Sequence, residues 1–327
     1  MGFREIKGQE TAIQILKNSI INNHVSHSYL FQGPEGVGKK TAALAFATTL
    51  NCLNLDTSIA DACRYCLSCK KAQSNNHPDI HLIEPEKSSI KIDQIRNLRS
   101  QVFYKCYEGK QKIIILDDAH LLTIEASNSL LKVLEEPPER TVFILVTAEA
   151  SKLPDTIISR CQQVVFQPLS VNTIKELLGK KHLGENAQIN LTASLSGGSL
   201  SKTKELLDEG EFLKMRQEAL EFSQRLSTHS FSDIILWCEK WDREKQKVKT
   251  IFEIIELWYR DLLVYTVSGR EEILINQDYL NHIKNFPQSL TEIKYALLLI
   301  NESIRNLEYN VNPRLILEVF FMKLKLT

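Results

Sequence analysis

The chain has 327 residues, of which 43% are hydrophobic and 24% charged, with 12 Gly and 9 Pro. This balance excludes disordered and fibrous classes and leaves room for roughly two or three domains. The 40 basic and 40 acidic residues cancel, which argues against a protein that grips nucleic acid or membrane over its whole surface.

No apolar run nears the ~18 residues of a membrane span, and residues 1–7 lack the charged-then-apolar pattern of a signal peptide. A cytoplasmic protein without membrane contact is expected. In a reducing compartment its seven cysteines point to metal before disulfides.

From Ser28 to Pro168 short apolar runs alternate with amphipathic stretches, the pattern of a parallel sheet with crossover helices. The first strand, Ser28–Gln32, leads into Gly33-Pro34-Glu35-Gly36-Val37-Gly38-Lys39-Lys40-Thr41 and a helix through Ala42–Leu50. Strand, glycine loop and helix in this order form a P-loop. The glycines let backbone N–H groups close around phosphate, the lysine reaches the β/γ oxygens, and the helix N-terminus adds its positive end. Gly33, Gly36, Gly38, Lys39 and Thr41 are therefore candidate nucleotide-binding residues. After the motif lysine a Ser or Thr ordinarily offers a hydroxyl to Mg²⁺, yet that place holds Lys40, and Thr41 comes one residue late. The loop keeps its shape and loses a metal ligand.

Cys52, Cys63, Cys66 and Cys69 follow, separated by 10, 2 and 2 residues. Three thiolates in one short turn and a fourth from the end of the preceding helix can close a tetrahedron around Zn²⁺. Four protein thiolates leave no open position for water, so the expected role is structural, in a zinc module over about residues 52–78. An iron–sulfur cluster is chemically allowed by four cysteines but has no other support. His77 is a rival ligand, with a surface position the better expectation beside Asn76 and Pro78. Cys106, Cys161 and Cys238 stand singly and read as small hydrophobic filler.

Strands are expected at Ile80–Glu84 and Lys112–Leu116, the second ending in Asp117-Asp118. This is a Walker B arrangement, in which Asp117 would hold Mg²⁺. Asp118 stands where a longer glutamate would orient the attacking water, and hydrolysis is sensitive to displacements of ~1 Å. The two acids serve equally well as caps of the sheet edge. Val142–Thr147 and Gln163–Gln167 complete the strands, with Ser159-Arg160-Cys161 between them. On residue type alone Arg160 reads as a solvated charge.

After Ser170 the strand signal stops. A capped helix is expected over Asn172–Leu178, and Gly197, Gly198 and Ser199 punctuate a helical segment ending near Gly210. Beyond it Ile251, Ile254, Ile255, Trp258, Tyr259, Leu262 and Leu263 recur at helical spacing, the stripe of a bundle core or subunit interface. The expected organisation is 1–168 for the nucleotide-binding fold with its zinc module, 169–210 for a small helical domain, and 211–327 for an all-helical domain.

Gly33 to Thr41, Ile113 to Asp118, Asn128 to Pro138 (Asn-Ser-Leu-Leu-Lys-Val-Leu-Glu-Glu-Pro-Pro) and Leu153 to Cys161 resemble, in order, the AAA+ clamp-loader ATPases. The C-terminal region, with Asn310-Val311-Asn312-Pro313 before the last helix, is similar to the collar of that family. The resemblance implies an α/β P-loop AAA+ domain with an inserted zinc module, a helical lid at 169–210 and a collar at 211–327. It also implies a hetero-pentamer with gamma/tau motor subunits and a delta subunit. That assembly, part of bacterial DNA polymerase III, opens the sliding clamp and places it on primer-template DNA.

In this family the arginine of the Ser-Arg-Cys motif reaches the ATP site of the adjacent subunit, which lands on Arg160. Such a finger is worth ~10³ to 10⁵ in rate. The sensor-1 position falls on Thr147 and the sensor-2 arginine position on Ser201, whose hydroxyl cannot replace a guanidinium at phosphate. Lys40, Asp118 and Ser201 all depart from the hydrolysing pattern. The expectation is a stator-like subunit with no ATPase of its own and weak or absent ATP binding. The alternatives are an ATP-hydrolysing gamma/tau-type motor, and a free-standing zinc protein that binds DNA. The zero net charge and the lack of a basic zinc-finger helix speak against the latter.

Overall fold

A computed structural model describes residues 2–102, 104–179, 186–208, 210–309 and 311–326. Residues 180–185 and 209 of the expected helical lid lie outside the described residues. The chain divides into two compact units, one of residues 1–181 with 197–202, the other of 182–196 with 203–327.

The first unit is built on β1 (Ser28–Gln32), β2 (Ile80–Ile83), β3 (Lys112–Leu116), β4 (Thr141–Thr147) and β5 (Gln162–Val165). They form one sheet in the order β2-β3-β4-β1-β5, with every pairing among the described residues parallel. All residues of β3 and β4 are buried, as a sheet covered on both faces requires. Along β1 the side chains alternate. Leu30 packs with Ile114, Leu116, Phe143 and Leu145 under α4 (Ile92–Val102) and α5 (Ile124–Glu135). Tyr29 and Phe31 enter an aromatic layer with Phe3, Phe166 and Phe46, the last from α2 (Lys39–Leu50). All five expected strands are present, β1 and β3 at the expected bounds and the others with ends shifted by at most two residues. Phe166 N makes the last bond of β5 to β1, donating to Gln32 O at 2.8 Å, and the ladder ends where Gln167 N turns instead to the Gln9 side chain at 2.9 Å.

The register aligns Gln32 of β1 with Thr147 of β4, and Leu116 of β3 with Leu145. The phosphate loop, Asp117 and Thr147 therefore all emerge at the carboxyl edge, where open parallel sheets bind ligands. A short α1 (Glu10–Ile21) precedes β1, α3 (Leu67–Gln73) lies in the cysteine segment, and α6 (Asp155–Ile158) precedes Arg160. In α7 (Val171–Leu178) the capping hydroxyl is that of Ser170, which accepts from Thr173 N.

The second unit is helical: α8 (Asn186–Leu195), most of α9 (Leu200–Asp208), α10 (Gly210–Gln224), α11 (Phe231–Glu239), α12 (Lys245–Ser268), α13 (Leu280–Lys284), α14 (Leu290–Glu308) and α15 (Pro313–Lys325). Ile251, Ile254, Ile255, Trp258, Tyr259 and Leu262 of α12 face its core with Phe320 and Phe321 of α15. Ser230 with Asp233 and Ser289 with Glu292 form capping boxes on α11 and α14. Asn312 caps α15 and Pro313 takes the first helical turn, where its missing N–H costs nothing. Between α12 and α13 the chain is clamped by Asp261, which accepts from Ile275 N, Asn276 N and Asn276 Nδ2 at 3.0, 2.7 and 2.9 Å. Arg216 grips the same loop, bidentate on Asp278 and bonded to Asn276.

Candidate nucleotide and metal sites

Glycine is required in the phosphate loop by its backbone. Gly33, Gly36 and Gly38 have φ of 149°, 70° and 99°. A Cβ on Gly33 would also lie 2.3 Å from the carbonyl oxygen of Phe166, and one on Gly36 would lie 2.0 Å from Ser201 Oγ. Leu200 N donates to Gly36 O at 3.0 Å, so the turn before α9 rests on the loop. Ser201, at the position expected for a sensor arginine, brings a hydroxyl that meets Ser199 Oγ at 3.2 Å.

Lys39 is buried, and its ammonium donates to the carbonyls of Gly33 at 2.7 Å and Pro34 at 2.5 Å. Burial lowers its pKa, against the opposing charges of Asp118, Glu35 and Asp117. Lys40 turns the other way and donates to Asp117 Oδ2 at 2.9 Å and to the Glu84 carboxylate. Burial opposes its charge, but the hydrogen bonds to Glu84 and Asp117 prevail and hold its pKa above the ordinary value. The acid expected to hold Mg²⁺ is thus paired with an amine. Thr41 lies exposed in the first turn of α2.

Asp118 adopts a left-handed backbone, φ 48°. Burial raises its carboxyl pKa, and the adjacent Asp117 charge adds to the rise. Thr147 is fully buried, its hydroxyl accepting from Glu149 N at 3.1 Å and meeting His120 Nδ1 at 3.3 Å. Gly33, Gly36, Gly38, Lys39, Asp117 and Thr147 share one edge of the sheet, whereas Arg160 belongs to a different element. It follows α6 with its side chain 36% exposed, and Nη2 donates to Glu135 Oε1 at 2.8 Å while Nη1 donates to Thr156 O at 2.8 Å. Neighbouring Cys161 is core filler, its thiol pushed up to about 11 by burial.

The sulfurs of Cys52, Cys63, Cys66 and Cys69 all lie within 4.8 Å of one another, and Cys63 and Cys69 Sγ are 3.9 Å apart. Four sulfurs bonded to one zinc ion at ~2.3 Å stand roughly 3.8 Å from each other, so the set fits a tetrahedral ion. Cys63 N, Cys66 N and Cys69 N donate to the sulfurs of Cys52, Cys63 and Cys66, each at 3.4 Å. Cys66 caps α3, and although burial opposes its ionisation, the N–H groups of Cys69 and Leu53 bring its thiol to about 6. These four side chains could hold a metal ion.

His77 corrects an expectation. It is neither on the surface nor a ligand, being 4% exposed with Nε2 at 3.1 Å from Ser68 Oγ and Nδ1 accepting from Asp79 N at 3.1 Å. Burial lowers its pKa, and the neutral ring braces α3 from behind. Sequence reasoning missed Glu84 and Glu135, the carboxylates that receive Lys40 and Arg160. It also missed Asp61, which accepts from Phe3 N at 2.8 Å and Arg4 N at 3.3 Å and so ties the N-terminal segment to the cysteine module.

The family described as "DNA polymerase III, delta subunit" matches residues 8–170. DNA polymerase III subunit delta' of Bacillus subtilis is 33% identical, over 97% of this chain and 96% of its own length. This chain belongs to the DNA polymerase III delta-prime family. DNA polymerase III subunit tau of the same organism is 30% identical over 98% of this chain, but the match spans 61% of that protein. A solved structure of a DNA polymerase III gamma subunit-related protein from Thermotoga maritima covers 96% of this chain and 98% of its own, with 19% identity and a TM-score of 0.47. No helix among the described residues is long and apolar enough to cross a membrane.

Proposed function

We propose that this chain is a non-hydrolysing, stator-like subunit of the DNA polymerase III clamp loader. In a hetero-pentamer with gamma/tau motor subunits and a delta subunit, it helps to load the sliding clamp onto primer-template DNA in the cytoplasm. Its residues 1–168 form the AAA+ domain, 169–210 the lid and 211–327 the collar that holds the ring together. The observation that carries the loss of hydrolysis is the Lys40 ammonium on Asp117. An acid neutralised by an amine has no need of Mg²⁺, and without Mg²⁺ the charge developing on a transferred phosphoryl group goes uncompensated.

Arg160 is the residue this subunit contributes to chemistry. Its planar, permanently charged guanidinium sits on a partly exposed loop, and its partner Glu135 is itself half exposed, so the pair separates at little cost. When a neighbouring motor subunit presents a γ-phosphate, Arg160 stabilises the charge that develops there. The metal of Cys52, Cys63, Cys66 and Cys69 is Zn²⁺, which holds the module rigid and takes no part in turnover.

The test is reconstitution with the motor and delta subunits. The isolated chain should show no Mg²⁺-dependent ATP hydrolysis. Arg160→Ala should assemble normally and cut DNA-stimulated hydrolysis, with ~10³ to 10⁵ at stake at the one site it serves. Robust turnover by the isolated chain would instead assign it the motor role.

A further inference from the structure

Lys40 places a fixed positive charge where a nucleotide site ordinarily carries a metal ion. Its ammonium donates to Asp117 Oδ2 at 2.9 Å and to Glu84, so a divalent cation approaching Asp117 must displace an amine that belongs to the loop itself. The hydroxyl that would complete the metal's coordination is absent at this position. The residues present do not fit Mg²⁺.

They do fit a polyphosphate. Gly33, Gly36 and Gly38 hold the left-handed backbone of a phosphate cradle, and nothing lies within 4 Å of where a Cβ on Gly38 would stand. Gly38 is the N-cap of α2 and offers no capping side chain, so the first-turn N–H groups are left for an anion. Lys39, 6% exposed, spends two ammonium hydrogens on Gly33 O and Pro34 O and keeps a third for a ligand. A buried cation and an uncapped helix end facing one cradle call for negative charge.

We propose that the Gly33–Thr41 loop binds the polyphosphate of a nucleoside di- or triphosphate without a divalent cation, Lys40 taking the metal's place between Asp117 and the phosphate oxygens. The proposal rests on the non-hydrolysing reading above and states what that site does instead. A tethered amine neutralises charge but does not gather β and γ oxygens in one coordination sphere, so the loop holds a nucleotide as a structural part.

The experiment measures ADP and ATP binding to the full chain by titration calorimetry, in buffer freed of divalent cations over a chelating resin and again with excess Mg²⁺. No soluble chelator is added, so the cysteine cluster keeps its metal. Affinity should be equal within about threefold in the two buffers. Lys40→Thr, which restores a hydroxyl at a partly exposed position, should bind at least about tenfold more weakly without Mg²⁺ and recover with it. Binding by the wild type that rises tenfold with Mg²⁺, or no binding in either buffer, overturns the proposal. Phosphate release is followed in the same samples. Its appearance sinks the non-hydrolysing reading, whereas Mg²⁺-requiring binding without release sinks only this inference.

Discussion

Arg160 and Glu135 meet across 2.8 Å, a guanidinium from the loop after α6 resting on a carboxylate at the end of α5. Both side chains are at least a third exposed, so the pair contributes only ~0.2–1 kcal/mol. Its effect is to hold the arginine in one orientation. Glu135→Gln should move the melting temperature by no more than about 3 °C. It should leave hydrolysis by the reconstituted complex unchanged or raised by up to about fivefold, since the released guanidinium no longer has to break a pair. A collapse of turnover like that expected for Arg160→Ala would make Glu135 part of the reacting site.

The cysteine cluster couples to the N-terminus through Asp61, which accepts from Phe3 N and Arg4 N two residues before Cys63. Removing the metal should therefore loosen more than the module. Cys66→Ser should lose zinc by metal analysis, and hydrogen exchange should quicken over residues 52–78 and at Phe3 and Arg4, while β3 and β4 stay protected. Cys106→Ser, outside the cluster, should change neither. Acid should mimic the first variant, because thiolates must be protonated before they release the ion.

In the helical unit Asp261 is fully buried and holds the chain entering α13 by three N–H donors, with Arg260 Nη1 at 2.6 Å. Asp261→Ala orphans those donors and should cost about 3 kcal/mol or more in urea unfolding. Arg260→Ala should cost less than Asp261→Ala, since the carboxylate keeps its three N–H donors when the guanidinium is removed. Equal losses would mean that the ion pair, not the backbone clamp, does the holding.

The strands and the cluster were legible because their signals are local. β1, β3 and β4 are runs of apolar residues that a doubly covered sheet demands, and the cysteines stand at spacings that let four sulfurs meet around one point. Lys40 was legible as a fault in the loop, but its partners were not. Glu84 lies 44 residues away at the end of β2, and Glu135 lies 25 residues before Arg160. A glutamate at the end of a strand or helix carries no mark of the cation that topology will bring to it. His77 was misread for the same reason: its polar neighbours suggested a surface loop, while Ser68 and Asp79 close over it from either side.

Asp79 gives the pH dependence its sign. It is 1% exposed and accepts from Tyr107 N, Glu108 N and Gly109 N at 2.7, 2.9 and 2.7 Å. Burial alone would raise its carboxyl pKa, but the three backbone donors favour the anion and bring the folded value below the ordinary one. A carboxyl lowered in the folded state contributes stability that is complete above the unfolded pKa of about 4 and is lost as pH falls through the lower folded value. Asp79→Asn turns an amide toward donors that need an acceptor and should cost ~1–3 kcal/mol at neutral pH. Chemical denaturation of both proteins should give parallel stabilities from pH 8 down to about 4, then converging ones below it, because the wild type alone must take up a proton there. A difference that stays constant into strong acid would mean that the loop at Tyr107–Gly109 is held by something other than this charge.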